Sequence, residues 1–355
     1  MQFGISIYVG LDNTLEENLN LINLAHQYHI KRIFTSLHIP ETNLSSFKEN
    51  LAQILALARK YDMEVISDIS PNTLTILNMD KLNIAKLRSL GITTLRLDFG
   101  YTAQEIAKLS NQDIKLQFNA STITADFLEE LKFYHTNFNQ IDALHNFYPR
   151  EGTGLSIEKF ITQNKLLRQY NISIGAFVPS YNKPRSPFKR GLPSLECHRY
   201  LPASVAMQHL KLLGIDSIFI GDSLPTKEEF TAFSYLNEDY TLLNIKTLTQ
   251  NQDILDILAQ NKFTVRIDEA DTAIRTQESR MLFKNVHISP EYITSRNIGD
   301  ITLDNIFYAR YIGELQIITT TLPQDNKINT IAKLLPYDLI LLPYLKANAK
   351  FKFKF

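Results

Sequence analysis

Acidic, amide and hydroxyl side chains recur in this sequence at one kind of place, the ends of short apolar, β-branched runs. Tyr8 closes one run. Ser36 with His38 and Glu41, Asp68 with Ser70, Asp98, Asn119 with Ser121, His145 with Asn146, and Asp222 close others. The runs are otherwise apolar, so ionisable groups at their ends are candidates for acid–base or ligand-binding work. In TLRLDFG a period of two sets Arg96, Asp98 and Gly100 on one face and Leu95, Leu97 and Phe99 on the other. Asp98 then either serves a site or closes a structural ion pair with Arg96. Asp68, soon followed by Pro71, is either functional or the cap of the next turn, and Asp222 reads as the cap of the eighth helix.

Two loops add polar groups. HNFYPREGTGLS sets Asn146, Tyr148 and Arg150 beside a Gly-Thr-Gly turn that permits close backbone approach. Such a set suits a polyhydroxylated, anionic ligand, or else a neutral surface loop. The long connection PSYNKPRSPFKRGLPSLECHRY carries Lys183, Arg185, Lys189 and Arg190, then Glu196, His198 and Arg199. Long loops inside compact domains are usually lids or binding loops, and a cationic one attracts phosphate or carboxylate. The plainer reading is a solvated charged loop. Cys197 beside His198 makes a poor nucleophile pair, because neighbours on an extended chain point apart. No HxH or HExxH spacing accompanies His145 and the lone Cys is isolated, so neither metal nor cofactor is expected.

The elements that must position these groups are legible from periodicity. Eight strand candidates, FGISIYV (3–9), RIFTSL (32–37), EVISDI (64–69), TLRLDF (94–99), KLQFNA (115–120), DALHNF (142–147), SIGAFV (173–178) and SIFIGD (217–222), alternate with amphipathic segments such as LEENLNLINLAHQYH. Repetition of one strand–loop–helix unit points to an α/β (β/α)8 TIM barrel over residues 1–237, with an open α/β sheet as the alternative. No GxGxxG follows the first strand and no GxxxxGK[ST] occurs, which removes the usual nucleotide fingerprints. In such a barrel the strand ends share one face, which turns the scattered polar residues into a constellation.

Near residue 238 the segments become shorter, Thr-rich and less helical. TLLNIKTL, KFTVRID, ISPEYIT, ARYIGELQIITTTLP and AKFKFKF suggest a small, mostly β second domain over 238–355. The Lys/Phe alternation at the end fits a strand with one buried face. Arg296, Asp304, Asn305 and Glu314 either reach the barrel mouth or satisfy turns between strands.

The chain of 355 residues balances 37 Lys+Arg against 37 Asp+Glu. Zero net charge offers no global attraction to nucleic acid or an anionic membrane, so neither is an expected partner; a homo-oligomer stays open. One Cys allows no intrachain disulfide, and the first residues read as a strand rather than a signal segment, so a cytoplasmic setting is expected.

The motifs GISIYVG, FTSLHIPE, SDISP, RLDFG, HNFYPREGTGLS, AFVP, GLPSLECHR, FIGD, RNIGDITLDN and YIGELQI resemble, in this order, the bacterial 6-phospho-N-acetylmuramidase family. The resemblance implies a (β/α)8 barrel followed by a small cyclophilin-like β domain. It also implies exo-hydrolysis of the β-1,4 bond of N-acetylmuramic acid 6-phosphate–N-acetylglucosamine, a phosphorylated disaccharide met during peptidoglycan recycling. Glycoside hydrolysis needs one group to protonate the leaving oxygen and another to attack or to activate water. By motif position Asp98 would be nucleophile, base or oxocarbenium stabiliser and Glu196 the general acid, with Asp68 in reserve. Asn119, His145, Asn146, Tyr148 and Arg150 would hold hydroxyls and the acetamido group; Arg185, His198 and Arg199 would meet the anionic groups. A non-catalytic phosphosugar sensor and another phosphosugar barrel enzyme, an aldolase or isomerase, are the alternatives, although no strand core offers the Lys of a Schiff-base aldolase.

Overall fold

The structure is a computed structural model, and it describes residues 1–36, 46–68, 79, 81–97 and 100–355. The chain divides into two compact units, Met1–Ser234 and Tyr235–Phe355.

In the first unit eight parallel strands close in chain order. They are β1 (Gln2–Ile7), β2 (Arg32–Ser36), β3 (Glu64–Asp68), β4 (Thr94–Leu97), β5 (Lys115–Asn119), β6 (Ile141–Leu144), β7 (Ser173–Val178) and β8 (Ser217–Ile220), with β8 pairing back onto β1. The expected TIM barrel is the observed one. The intervening helices are α1 (Leu15–Gln27), α2 (Phe47–Lys60), α3 (Ile84–Leu90), α4 (Ala103–Leu109), α5 (Ala125–Phe133), α6 (Ile157–Arg168), α7 (Ala203–Leu212) and α8 (Lys227–Leu236). Most of their starts are set by side-chain caps, although Ser46 before α2 and Pro202 before α7 make none. Thr14 with Glu17 and Thr102 with Glu105 form reciprocal capping boxes, and Asn83, Thr124 and Ser156 cap singly.

The barrel interior is packed rather than hollow. Phe34, Ile66, Leu144, Phe177 and Phe219 meet inside it, with Phe34–Phe177 ring centroids at 5.2 Å. Gly4 makes room for this layer, since a Cβ there would lie 2.2 Å from the Phe219 ring. At the N-terminal ends of the strands buried Arg32 bridges Glu64 (2.9 Å) and Asp142 (2.5 Å). Thr94 and Gln117 donate to the same two carboxylates, so this floor is a closed polar plug. The opposite ends are therefore where a ligand can enter.

The second unit is a seven-stranded sheet in the order β10-β15-β9-β14-β12-β13-β11, antiparallel except for β15 against β9. Its strands are β9 (Thr241–Thr247), β10 (Phe263–Thr264), β11 (Ala273–Arg275), β12 (Asp300–Asp304), β13 (Leu315–Ile318), β14 (Ile328–Leu334) and β15 (Lys350–Lys354). The Lys/Phe tail is a strand as its alternation predicts, burying Phe351 and Phe353 against Phe263 at 5.8 and 5.6 Å. ISPEYIT forms no strand; its place in the sheet goes to GDITLDN and INTIAKL, whose polar residues hid strands buried along nearly their whole length. Among the described residues no helix is long and apolar enough to cross a membrane.

Candidate active site

The C-terminal strand ends do gather polar groups over an aromatic floor. Tyr8, Phe34, Phe147 and Phe177 pack edge to face there, with Phe147 centroids 6.2, 5.9 and 5.1 Å from the other three. Asp68 ends β3 in register with Arg96 on β4, and its carboxylate lies 3.3 Å from the Arg96 Nε. Arg96 also donates to the Leu144 carbonyl at 3.2 Å and to the Asn146 amide oxygen, and its guanidinium sits over the Phe34 ring. Arg96 thus points inward, as the period of two required. Asp98, two residues further, lies outside the described residues, as do His38, Glu41, Ser70 and Pro71.

Arg185 arrives from the loop after β7. Its guanidinium carbon stands 4.9 Å from the Tyr8 ring centroid and 5.1 Å from that of Phe147, and its Nε is buried without a hydrogen-bond partner. A cation stacked on two rings keeps its in-plane N–H groups available for an anion. The Tyr8 hydroxyl donates to the Gly221 carbonyl at 2.7 Å, and burial pushes its pKa well above the usual phenol value, so it stays neutral. Arg185, Asp222 and Asp68 are all close enough to act on it electrostatically.

The lid is pinned, not solvated. Asp222 is fully buried and accepts from the backbone N–H groups of Ser180 (2.8 Å), Arg185 (2.9 Å) and Leu192 (3.0 Å). It is not the cap of α8, because Thr226 and Glu229 fill that role reciprocally. Asp12 accepts from the Ser186 N–H and hydroxyl, and Lys183 pairs with Glu17 at 2.8 Å. Sequence reasoning missed Asp12, although its turn after β1 was a signal. Burial pushes the Asp222 carboxyl up to about 6. In Asp222→Asn an amide N–H must face a backbone N–H, so the clamp opens. Proteolytic cleavage within 180–192 is expected to rise roughly tenfold or more, with the rest of the fold intact; unchanged cleavage would remove the clamp.

Four expected site residues are placed elsewhere. Glu196 cannot be the general acid: Arg199 Nε and Nη2 (2.6 and 2.7 Å) and the N–H groups of Gly152 (2.9 Å) and Gly154 (2.7 Å) all donate to its carboxylate. Chiefly through the Arg199 bonds it is pulled down to about 2 and holds no proton near neutrality. The Gly-Thr-Gly turn therefore approaches Glu196, not a ligand; a Cβ on Gly154 would lie 2.6 Å from Glu196 Oε2. Arg199 cannot meet an anion either. Its side chain is 1% exposed and its remaining N–H groups serve the carbonyls of Tyr148, Arg150, Arg190 and Gly191. His198 is fully buried and bonds His209 through Nε2 and Nδ1 at 2.8 Å; burial keeps it neutral. Cys197, His198 and His209 place ligand atoms within 4.8 Å of one another, yet 2.8 Å is a hydrogen bond, shorter than the roughly 3.3 Å between two nitrogens on tetrahedral zinc.

His145 faces the helices. It stacks on Phe160 at 4.3 Å and bonds Ser121 (3.2 Å) and Asn164 (2.8 Å), and burial lowers its pKa to about 4. Asn146, one residue on, is the one turned inward. Asn119 is buried, and its oxygen accepts from the Ser121 N–H at 3.0 Å. Tyr148 is half-buried and Arg150 exposed, and both hold Arg199 through their carbonyls. The mouth thus unites Asp68, Arg96, Asn146 and Arg185. Such a set can bind an anion, hold an ionised carboxylate and support a sugar ring.

Comparison with known proteins matches residues 3–235 to "6-phospho-N-acetylmuramidase, N-terminal" and residues 241–354 to "6-phospho-N-acetylmuramidase, C-terminal". Two solved structures are similar over the whole chain. One is an uncharacterized B. cereus protein, 27% identical, with a TM-score of 0.88, covering 100% of this chain and 99% of that one. The other is a conserved Enterococcus faecalis protein of unknown function, 30% identical, with a TM-score of 0.81, covering 100% and 96%. A comparison with curated proteins gives no match. The chain belongs to the 6-phospho-N-acetylmuramidase family and is a glycosidase.

Proposed function

We propose that the barrel hydrolyses the β-1,4 bond of N-acetylmuramic acid 6-phosphate–N-acetylglucosamine in cytoplasmic peptidoglycan recycling. The observation that carries this reading is Arg185, stacked on Tyr8 and Phe147 with a buried, unpartnered Nε, over the mouth where Asp68 meets Arg96. Arg185 binds the phosphate, and the aromatic floor takes the pyranose face. Asp68, kept as a carboxylate beside Arg96, attacks the anomeric carbon or stabilises its developing charge. The leaving oxygen takes its proton from a second carboxyl, and water completes the hydrolysis. Asp98 is our candidate for that acid, since Glu196 is held ionised and Asp222 is committed to three backbone N–H groups. Arg96 and Asn146 orient the ring and its acetamido group. The second unit we read as cyclophilin-like in fold.

Purified protein incubated with the phosphorylated and the dephosphorylated disaccharide tests the reading. Release of N-acetylglucosamine from neither ends it, and equal release from both removes phosphate recognition. Arg185→Ala is expected to raise KM for the phosphorylated substrate about 10–100-fold, the worth of one charged hydrogen bond. Turnover of the dephosphorylated form should be unaffected; equal losses on both would reassign Arg185 to another group of the sugar.

A further inference from the structure

The second unit holds a cavity that the barrel chemistry does not use. It measures about 300 Å³ and lies between the loop joining β10 to β11 and the 3-10 helix Pro336–Tyr344 with the residues just after it. Its floor is apolar: Val265, Ala273, Ile274, Leu342 and Leu345 are all buried. At its edge the apolar Ile298 is 52% exposed. A concave site with an apolar floor and a few polar groups at the rim is the ordinary form of a small-molecule site.

The wall is braced, so the cavity is preformed. Arg266 grips Asp268 through Nε (2.7 Å) and Nη2 (2.9 Å), and its backbone N–H donates to the Arg275 carbonyl at 3.0 Å. Glu269 accepts from the Ala347 N–H at 2.6 Å, which ties the loop to the approach to β15, and Arg275 Nε donates to Glu314 at 2.8 Å. Six charged residues line the cavity, and these bonds occupy four of them. The other two are Asp271, on the loop, and Lys346, after the 3-10 helix. Both are exposed, and among the described residues neither side chain has a hydrogen bond or an ion pair, with each other or with anything else.

An uncommitted anion and an uncommitted cation thus stand over one apolar floor. An anionic occupant would meet Lys346 but sit beside Asp268, Glu269 and Asp271. A cationic one would meet Asp271 but face Arg266, Arg275 and Lys346. A neutral apolar one would leave both charges unanswered. An occupant with one charge of each sign and an apolar body answers all three parts of the lining together.

We propose that this cavity binds a small apolar zwitterion, a free amino acid or dipeptide with apolar side chains, its ammonium on Asp271, its carboxylate on Lys346 and its side chain against the floor. The site lies wholly within the second unit and does not depend on the hydrolytic reading of the barrel.

Calorimetric and ligand-observed NMR titration of the full chain with L-leucine and with L-alanyl-L-leucine tests the proposal and tells the free amino acid from the dipeptide. N-acetyl-L-leucine, which lacks the ammonium, and L-leucinamide, which lacks the carboxylate, are the blocked counterparts. Saturable, millimolar binding of at least one zwitterion is expected, with each blocked analogue about tenfold weaker or more, the worth of one charged hydrogen bond. Asp271→Asn should weaken the zwitterions to a similar degree without weakening N-acetyl-L-leucine further. Lys346→Met should do the same, with L-leucinamide as the insensitive ligand. Both side chains are exposed, so melting curves should overlay that of the parent. Binding of neither zwitterion, equal binding of the blocked analogues, or indifference to either substitution overturns the proposal.

Discussion

Arg199→Ala is expected to cost the barrel about 2–4 kcal/mol of unfolding free energy, because it empties the space of a fully buried side chain and leaves several carbonyls and the half-buried Glu196 short of donors. Among the described residues Arg199 is the largest fully buried side chain, and it ties the 148–154 loop to the 190–191 end of the lid and to Glu196. Its removal strips four carbonyls and a carboxylate of donors at once. Denaturant unfolding followed by circular dichroism reads the change; a loss under about 1 kcal/mol would show that water replaces the guanidinium readily. Arg199→Lys should recover only part, because one ammonium cannot reproduce a five-donor fork.

The same pair sets part of the acid limit of stability. Glu196 is lowered from 4.5 to about 2, so the folded state binds its proton less readily than the unfolded one. The stabilisation from this carboxylate is full above pH 4.5 and is lost as pH falls through about 2. Glu196→Gln should therefore be less stable than the parent at pH 7 and should show a flatter decline between pH 4.5 and 2. Parallel pH profiles for the two proteins would assign that limb to other groups.

The barrel was legible because strands buried on both faces read as apolar runs, and because one strand–loop–helix unit repeats. Residue orientation near strand ends was harder. The period of two set Arg96 inward correctly, yet the same rule leaves His145 and Asn146 on opposite faces, and only packing against Phe160 decides which one faces the helices. The cationic loop misled for a different reason. Composition counts charges and cannot see their partners: Lys183 is spent on Glu17 and Arg199 on Glu196, which leaves Arg185 as the cation stacked at the mouth. The three-residue spacing of Glu196 and Arg199 in a tight turn was the available sign of an internal pair. Asp222 gave no such sign, since its partners are backbone N–H groups of a loop 30 to 42 positions earlier.

Asp68→Asn is expected to reduce turnover of the phosphorylated disaccharide by about 10^2-fold or more with little change in KM, if the carboxylate acts on charge that develops at the anomeric carbon. The substitution keeps size and keeps an oxygen for Arg96 Nε, now 3.3 Å from Asp68 Oδ1, so the fold should survive and melting curves should overlay. Arg96 gives the reason to expect a charge effect rather than a packing one: it is 3% exposed at its side chain and shares its donors between Asp68, Asn146 and the Leu144 carbonyl, so loss of the Asp68 charge leaves a buried cation beside the reacting centre. That cation opposes an oxocarbenium-like transition state, and it is felt only there, which is why the loss should fall on kcat. Asp98→Asn should show a comparable loss with substrates bearing poor leaving groups and a smaller one with an activated aryl leaving group, as expected of a proton donor. An Asp68→Asn protein with near-parent kcat would move the attacking carboxylate away from β3, and equal sensitivity of Asp98→Asn to both leaving groups would deny it the acid role.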